Sequence, residues 1–211
     1  IKAGQTLYTK FGFTTAQDGR ADPGSITVYR KAAQAGTLKI DVAAYADLVM
    51  LGEQADAVMK TRSRTYTQRF RLAGVKLNFD GSPQGKTAWL TKPYFRPPEG
   101  QGANYAGYGT FPDEVAVALF TKAFGNGWQV LTHANGDAAI DQLIRAVRGA
   151  KAAYPGGDPR PVMIHGQTMR EDQVDAVKSL GIFPALFPMH TFYWGDWHRD
   201  SVLGPERAEN I

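Results

Sequence analysis

Apolar residues along the chain follow two alternating patterns. Short apolar runs rich in β-branched residues are separated by longer stretches in which apolar residues recur every three to four positions. The first pattern predicts β-strands and the second predicts amphipathic helices. Six strands are predicted, at residues 13–18, 38–45, 74–80, 128–133, 161–165 and 182–187.

Turn and capping residues indicate where the intervening helices begin and end. Asp22 followed by Pro23 predicts a helix start, because an acid at the N-cap and a proline at the first helical position favour one. Asp137 is expected to cap the helix that follows Gly136. Helices are predicted at about 2–11, 22–35, 47–60, 112–124, 137–153 and 170–180, and another begins near Gly204.

This strand–helix alternation is typical of a parallel sheet with helical crossovers. A complete (β/α)8 barrel needs eight such units and about 250 residues. Six units in 211 residues therefore predict an α/β fold, namely an incomplete TIM-barrel-type (β/α)8 barrel of about six βα units. The chain has neither a GxGxxG nor a GxxxxGK[ST] motif, so nothing supports a dinucleotide or P-loop site.

The segment from 82 to 111 interrupts the alternation. It is rich in proline and glycine and also carries Trp89, Tyr94, Phe95, Tyr105 and Tyr108. Loops of this length inside a domain are usually functional or disordered. Its aromatic content favours an ordered loop that covers an active site. The alternative is a surface loop whose aromatic residues form a small cluster of their own.

Composition narrows the classes of partner. The net charge is +4, but no block of five or more Lys and Arg residues occurs, so we expect no nucleic-acid binding. No apolar run reaches 18 residues, and we expect no membrane span. The absence of cysteine excludes disulfides and thiolate metal sites without fixing a compartment, and we favour the cytoplasm over secretion.

Two histidines occupy equivalent places in this pattern. His133 and His165 each end a predicted strand just before a helix. Chemistry in parallel α/β folds gathers at the carboxyl ends of strands, so the two side chains are expected to share one site. Neutral imidazole is a common metal ligand, but a catalytic zinc usually has three protein ligands. Satisfied structural histidines in a non-catalytic ligand-binding or structural α/β domain without a metal remain the alternative.

Lys76 is the third candidate, because a lysine within an apolar strand must be paired, neutral or modified. Reaction with carbon dioxide would convert it into a carbamate able to bind metal. An ion pair with Asp80 or Asp18 is an equally good interpretation. A Schiff-base lysine in a metal-free barrel enzyme is a further alternative.

Five stretches together resemble the amidohydrolase superfamily, in particular its YtcJ-like branch (amidohydrolase family 3), which includes N-substituted formamide deformylase. Each motif is weak alone, but the ordered set is specific and covers nearly the whole chain. The stretches are Gly12–Asp18, Gly74–Ser82, Thr132–Ala139, Ile164–Gln167 and Leu203–Arg207.

The resemblance implies a metal-dependent hydrolase on a distorted (β/α)8 barrel beside a small β-sandwich. It implies that Lys76, often carboxylated in the family, His133 and His165 are metal ligands for zinc or another divalent ion, one or two per site. A metal-activated water would then attack a non-peptide amide or formamide carbon.

Parts of the family pattern fall outside the chain. The first-strand His-x-His pair would precede residue 1, and the eighth-strand aspartate that handles the proton would follow residue 211. Residues 1–211 are therefore expected to be the central part of one catalytic barrel, without the first strand, the eighth strand and the sandwich domain. No catalytic residue is assigned, and we expect the 211 residues alone to be inactive.

The remaining polar and aromatic candidates are assigned to a small amide-like substrate. Asp80 and Asp137 end predicted strands or begin helices on the same side of the sheet, Trp89 belongs to the aromatic segment, and His190 follows the last strand. His198 is expected at the surface. Exposed sheet edges predict self-association or contact with the remainder of the same chain.

Overall fold

The computed structural model describes all residues from 1 to 211. The strands are β1 (Thr15–Ala21), β2 (Asp41–Asp47), β3 (Phe70–Asn78), β4 (Gln129–Ala134), β5 (Val162–His165) and β6 (Phe183–Leu186). The helices are α1 (Lys2–Lys10), α2 (Pro23–Gln34), α3 (Leu48–Leu51), α4 (Ala55–Met59), α5 (Asp113–Gly125), α6 (Asp137–Ala153), α7 (Glu171–Ser179), α8 (Met189–Trp197) and α9 (Pro205–Ala208). A 3₁₀ turn at Gly52–Gln54 joins α3 to α4, and a π-helical turn at His198–Val202 follows α8.

The six parallel strands form one sheet in the order of the chain, β1-β2-β3-β4-β5-β6. In the register, Asp47 of β2 pairs with Lys76 of β3, and His165 of β5 pairs with Leu186 of β6. Parallel neighbours need crossovers of a dozen or more residues, which helices supply. This is the topology of consecutive βα units of a barrel, and the predicted fold class is confirmed.

The boundaries of β1, β2 and β3 differ from the predicted ones by two to four residues, and one helix was not predicted. β3 begins at Phe70, four residues before the predicted start at 74, because Arg71 made the beginning of the strand look like part of a polar stretch. The aromatic run after residue 188 forms α8, which was not predicted. Apolar residues lie all around this helix, so it lacks the one-sided periodicity by which a helix is recognised.

The chain divides into two compact units, and the first comprises residues 1–77 and 128–131. Asp22 caps α2 as predicted, accepting hydrogen bonds from Ser25 N at 3.0 Å and from its hydroxyl at 2.7 Å. These bonds hold the pKa of Asp22 below its usual value. A side chain at Gly74 would place its Cβ 2.3 Å from the Gln129 carbonyl oxygen, so only glycine fits there.

The second unit comprises residues 78–127 and 132–211. Its core includes Phe79 and Phe120, whose rings meet edge to face at 5.9 Å. The segment from 82 to 111 has no helix or strand, yet hydrogen bonds within it fix its path, such as Tyr94 N to Tyr105 O at 2.9 Å. The rings of these two tyrosines also stack at 5.7 Å. The segment is therefore ordered, as its aromatic content predicted.

Apolar side chains on β6 and α8 face solvent. Phe183 is 65% exposed, Leu186 is 56% exposed and Phe192 is 80% exposed. The self-association expected from such faces stays a prediction. No helix of the structure combines the length and the apolar character that crossing a bilayer requires.

Candidate functional site

The turn between β4 and α6 is held by one buried carboxylate. Asp80, whose side chain is fully buried, accepts hydrogen bonds from Asn135 N at 3.0 Å, Gly136 N at 2.7 Å and Trp89 N at 3.0 Å. Burying a charge is costly unless it is hydrogen-bonded, and three amide donors meet that need. The carboxylate thus ties the start of the long segment to the turn that follows His133.

Gly136 is required by the close approach of that segment. A Cβ on Gly136 would lie 1.9 Å from the Trp89 carbonyl oxygen. The same carbonyl accepts a hydrogen bond from Ala138 N at 3.2 Å. The backbone of Trp89 is thus fixed on both sides, and its half-buried indole lies against Gly109.

The structure brings the two predicted histidines together. His133 on β4 and His165 at the end of β5 meet edge to face with ring centroids 4.7 Å apart. His165 has a left-handed backbone with φ of 79°, and Gly166 continues it with φ of 60°. A non-glycine residue in this region carries about 1–3 kcal/mol of strain, and such residues cluster at functional sites.

Two groups of the second unit lie within hydrogen-bond distance of the His133 ring. Its Nε2 lies 3.0 Å from the Asn135 Nδ2 donor and 2.9 Å from the Gly81 carbonyl oxygen. Asn135 Nδ2 also donates to Gly81 O at 2.9 Å. The contact of Nε2 with Gly81 O is a hydrogen bond only when Nε2 carries a proton, and the contact with Asn135 Nδ2 is one only when it does not, so the two contacts favour opposite tautomers. An unprotonated Nε2 is the form of histidine that binds a metal.

Asp137 does not cap α6, contrary to expectation. Gly136 occupies the N-cap without a side-chain hydrogen bond, and Asp137 is the first residue of the helix. Its carboxylate instead accepts hydrogen bonds from Thr91 N at 2.8 Å, from the Thr91 hydroxyl and from Arg170 Nη1 at 3.3 Å. Asp137 and Asp80 therefore both hold the long segment in place.

Arg170 connects three carboxylates. Besides Asp137 it pairs with Asp141 at 3.1 Å and with Asp172 at 2.9 Å. The hydrogen bond to Asp172, together with those to Asp141 and Asp137, raises the pKa of the Arg170 guanidinium despite its partial burial. Arg170 therefore remains a permanent cation beside the start of α6.

Lys76 belongs to the first unit. It lies in β3 with only 5% of its surface exposed, and its Nζ donates a hydrogen bond to the Leu77 carbonyl oxygen at 3.2 Å. Lys76 is therefore buried within its apolar strand, as its position in the sequence suggested. Its role as a metal ligand stays a prediction.

A second pair of histidines lies in the C-terminal part of the second unit. His190 and His198 meet edge to face at 5.7 Å, and His198 Nε2 lies 2.7 Å from Gln167 Nε2. His198 is fully buried, so its expected surface position was wrong. Burial lowers the pKa of both rings, to about 4 for His198, where His190 adds a smaller effect.

Few side chains of the structure are placed to bind a metal ion together. No group of three or more His, Cys, Asp or Glu side chains with metal-binding geometry occurs in the chain. His133 and His165 supply two adjacent imidazoles, and a carbamate on Lys76 would add an oxygen donor of the kind that zinc accepts. His133 and His165 therefore fit two positions of a metal site within the second unit, one fewer than the three protein ligands usual for a catalytic zinc.

Two residues that hold this region together were not predicted. Asn135 lies two positions beyond His133, and an amide there is an ordinary turn residue by sequence alone. Arg170 was assigned only to the start of a helix, and its ion pairs reach Asp137 and Asp141, about 30 positions earlier. The only sequence signal for this pairing is the presence of acidic residues at the start of α6 and of an arginine just before α7.

The model of the amidohydrolase family matches residues 1–211, the whole chain. The chain therefore belongs to the amidohydrolase family, and it falls in the YtcJ-like branch. It is 26% identical over 138 residues to a protein of Bacillus subtilis (strain 168) called YtcJ, whose amidohydrolase name is itself provisional. That match covers 65% of this chain and 24% of YtcJ.

Solved structures agree on the fold. An uncharacterised metal-dependent hydrolase from Pyrococcus horikoshii OT3 superposes with a TM-score of 0.78 at 26% identity, covering 98% of this chain and 39% of that one. Another uncharacterised metal-dependent hydrolase, from Pyrococcus furiosus, gives a TM-score of 0.81 at 24% identity, covering 99% and 41%. The chain thus spans about two fifths of the length of these structures and about a quarter of YtcJ.

Proposed function

We propose that the protein is a metal-dependent hydrolase that cleaves carbon–nitrogen bonds of non-peptide amides or formamides. The observation that carries the proposal is the pair of adjacent imidazoles, His133 and His165, at the carboxyl ends of neighbouring strands. Membership of the amidohydrolase family and the metal-dependent hydrolases among its structural neighbours support it.

In this proposal His133 and His165 hold zinc or another divalent ion, one or two per site, together with Lys76 as its carbamate. The carbamate forms when the neutral amine adds to carbon dioxide and releases a proton. Lys76 is buried, as a lysine held as a carbamate ligand inside a barrel would be. A bound metal ion supplies Lewis acidity, polarising the substrate carbonyl and activating water.

The remaining residues position this set. Asp80 fixes the turn after His133 through hydrogen bonds from three backbone amides, and a metal ion at His133 would replace the contact between its Nε2 and the Asn135 amide. Trp89 offers an aromatic face to an apolar part of the substrate. Asp137 contributes to substrate binding indirectly, because it holds the segment from 82 to 111 in place at Thr91. His190 forms part of the wall of the substrate pocket.

Elemental analysis of the full-length gene product tests the proposal. We expect about one equivalent or more of a divalent metal, as for catalytic zinc sites. His133→Asn and Lys76→Ala should each lose most of it. His198→Gln and Lys122→Ala remove a buried histidine and an exposed helical lysine outside the proposed site, and should keep it. Circular dichroism would confirm that each variant is folded.

The alternative is a metal-free ligand-binding or structural α/β domain. One observation favours it, since His133 Nε2 already has hydrogen-bond partners in Gly81 and Asn135. A metal-free full-length protein, folded and indifferent to His133→Asn, would establish this alternative and end the hydrolase proposal. Metal that is retained in His133→Asn but lost in His198→Gln would place the site at the second histidine pair instead.

A further inference from the structure

The first unit contains a cavity of about 190 Å³ between α2 and the segment that leads into β3. Two arginines and four hydroxyl side chains line it, and no carboxylate does. A positively charged cavity rich in hydroxyl donors is suited to an anion. The lining residues that matter here are Arg30, Arg71, Thr61, Ser63, Thr65 and Thr67.

Arg71 leaves one buried donor unused. Its guanidinium lies over the Tyr66 ring at 4.9 Å, and its Nη1 donates to the Arg64 carbonyl oxygen at 3.2 Å. Its Nε is buried and has no hydrogen-bond partner. Buried polar groups are nearly always hydrogen-bonded, so this nitrogen lacks an acceptor. Because it has almost no accessible surface, an anion in the cavity reaches it only after the Arg71 side chain turns, and otherwise Arg71 acts on the cavity through its charge and its other nitrogens.

The other groups of the cavity make local contacts, and the Thr61 hydroxyl already donates to the Val58 carbonyl oxygen at 2.7 Å. Arg30 Nη2 donates to the Thr61 hydroxyl at 2.5 Å, so both approach the cavity together. The Ser63 and Thr65 hydroxyls lie 3.0 Å apart. Arg69, on the same segment, forms an ion pair with Asp41 at 3.2 Å, which balances its charge. The lining of the cavity contains no carboxylate that could balance the charges of Arg30 and Arg71 in the same way.

We propose that this cavity binds a tetrahedral oxyanion, either free phosphate or the phosphate of a small phosphomonoester. Arginine presents its donors as a planar fork that matches phosphate oxygens. The volume of about 190 Å³ is sufficient for a tetrahedral dianion together with a few waters.

The proposed site is separate from the metal chemistry. Arg71 precedes Lys76 by five positions on β3, and a rise of about 3.3 Å per residue places them roughly 17 Å apart along the strand. An anion bound at the amino end of β3 would stabilise the folded first unit, because a ligand that binds only the folded state favours it. The site therefore acts on stability and leaves the histidines untouched.

Titration of inorganic phosphate into the full-length protein, followed by calorimetry at constant ionic strength, tests the inference. We expect saturable binding with a Kd of about 1 mM or tighter. Arg71→Gln should weaken it at least tenfold. Arg64→Gln is the matched control, because it removes the same charge from the same segment while its side chain does not line the cavity and its carbonyl remains.

Two further measurements complete the experiment. Glycerol phosphate in place of phosphate distinguishes the sources: tighter binding identifies a phosphomonoester, and equal binding identifies the free anion. Ser63→Ala, which leaves every charge in place, should weaken binding about threefold or more and serves if Arg71→Gln fails to fold. Binding that does not saturate, or that falls equally in Arg71→Gln and Arg64→Gln, would overturn the inference.

Discussion

His133 and His165 stand edge to face with ring centroids 4.7 Å apart, and His190 and His198 stand edge to face at 5.7 Å. The first pair lies at the ends of two strands, and the His133 side chain is 18% exposed. The second pair lies on a helix and the π-helical turn that follows, and both rings are buried. Similar ring geometry thus occurs in two unlike environments.

The difference between the pairs lies in what surrounds each nitrogen. His133 Nε2 lies within hydrogen-bond distance of the Asn135 amide and the Gly81 carbonyl oxygen, whereas Nδ1 of His190 and Nδ1 of His198 are buried without a hydrogen-bond partner. Only the first pair includes a strained backbone, at His165. Exposure and backbone strain, rather than ring geometry, therefore distinguish the first pair as the candidate site.

The largest effect is expected when the support of the first pair is removed. Asp80→Asn turns an amide group towards backbone N–H donors and loses a buried charged acceptor. We expect unfolding free energy to fall by about 4 kcal/mol, as when a buried ionic partner is lost. Denaturant unfolding measures this loss.

Asp158→Asn provides the control for that substitution. Asp158 is 73% exposed and lies 3.6 Å from Arg160, so its loss should change stability by less than about 0.5 kcal/mol. A comparable loss in both variants would show that Asp80 is an ordinary surface-like carboxylate, and the first pair would then lack the support assigned to it.

The burial of the second pair predicts a pH effect on stability. The unfolded chain protonates histidine near pH 6.5, but buried His198 resists protonation until about pH 4. Stability is therefore complete above pH 6.5 and decreases as pH falls towards 4, by about 3 kcal/mol. His198→Gln should remove most of this decrease, which thermal unfolding between pH 4 and 7 would show. An unchanged pH profile in that variant would assign the loss of stability to other groups.

The smallest effect concerns the backbone of the first pair. Glycine tolerates φ of 79° and alanine does not, so His165→Gly should be more stable than His165→Ala by about 1 kcal/mol. At the adjacent strand residue Ile164 the order should reverse, since glycine weakens an extended strand. Urea unfolding of the four variants checks both signs. Equal stability of the two His165 variants would show that the backbone at His165 is not strained, and strain would then no longer distinguish the first pair of histidines from the second.

Much of the fold was predictable from sequence because strand and helix periodicities and the capping residues are local signals. All six strands and the Asp22 cap were predicted. The early start of β3 was missed because Arg71 belongs to the cavity of the first unit, and α8 was missed because it has no polar face. Local patterns fail where tertiary contacts decide what a residue faces.

The candidate site was predictable only in part, for the same reason. His133 and His165 were recognisable because both end strands, and strand ends of a parallel sheet lie on one side. The burial of His198 and the contacts of Asp137 depend on partners more than 30 positions away, Gln167 and Thr91 respectively. Sequence alone carries no local signal for such pairings.

The anchoring role of Asp80 also has a kinetic consequence. Its bond to Asn135 joins residues 55 positions apart, and closing a loop of that length costs about 3.5 kcal/mol of chain entropy. The turn that presents His133 should therefore form late in folding, after β3 and the helices are in place. The stability lost in Asp80→Asn should then appear mainly as faster unfolding, with a nearly unchanged folding rate in stopped-flow measurements.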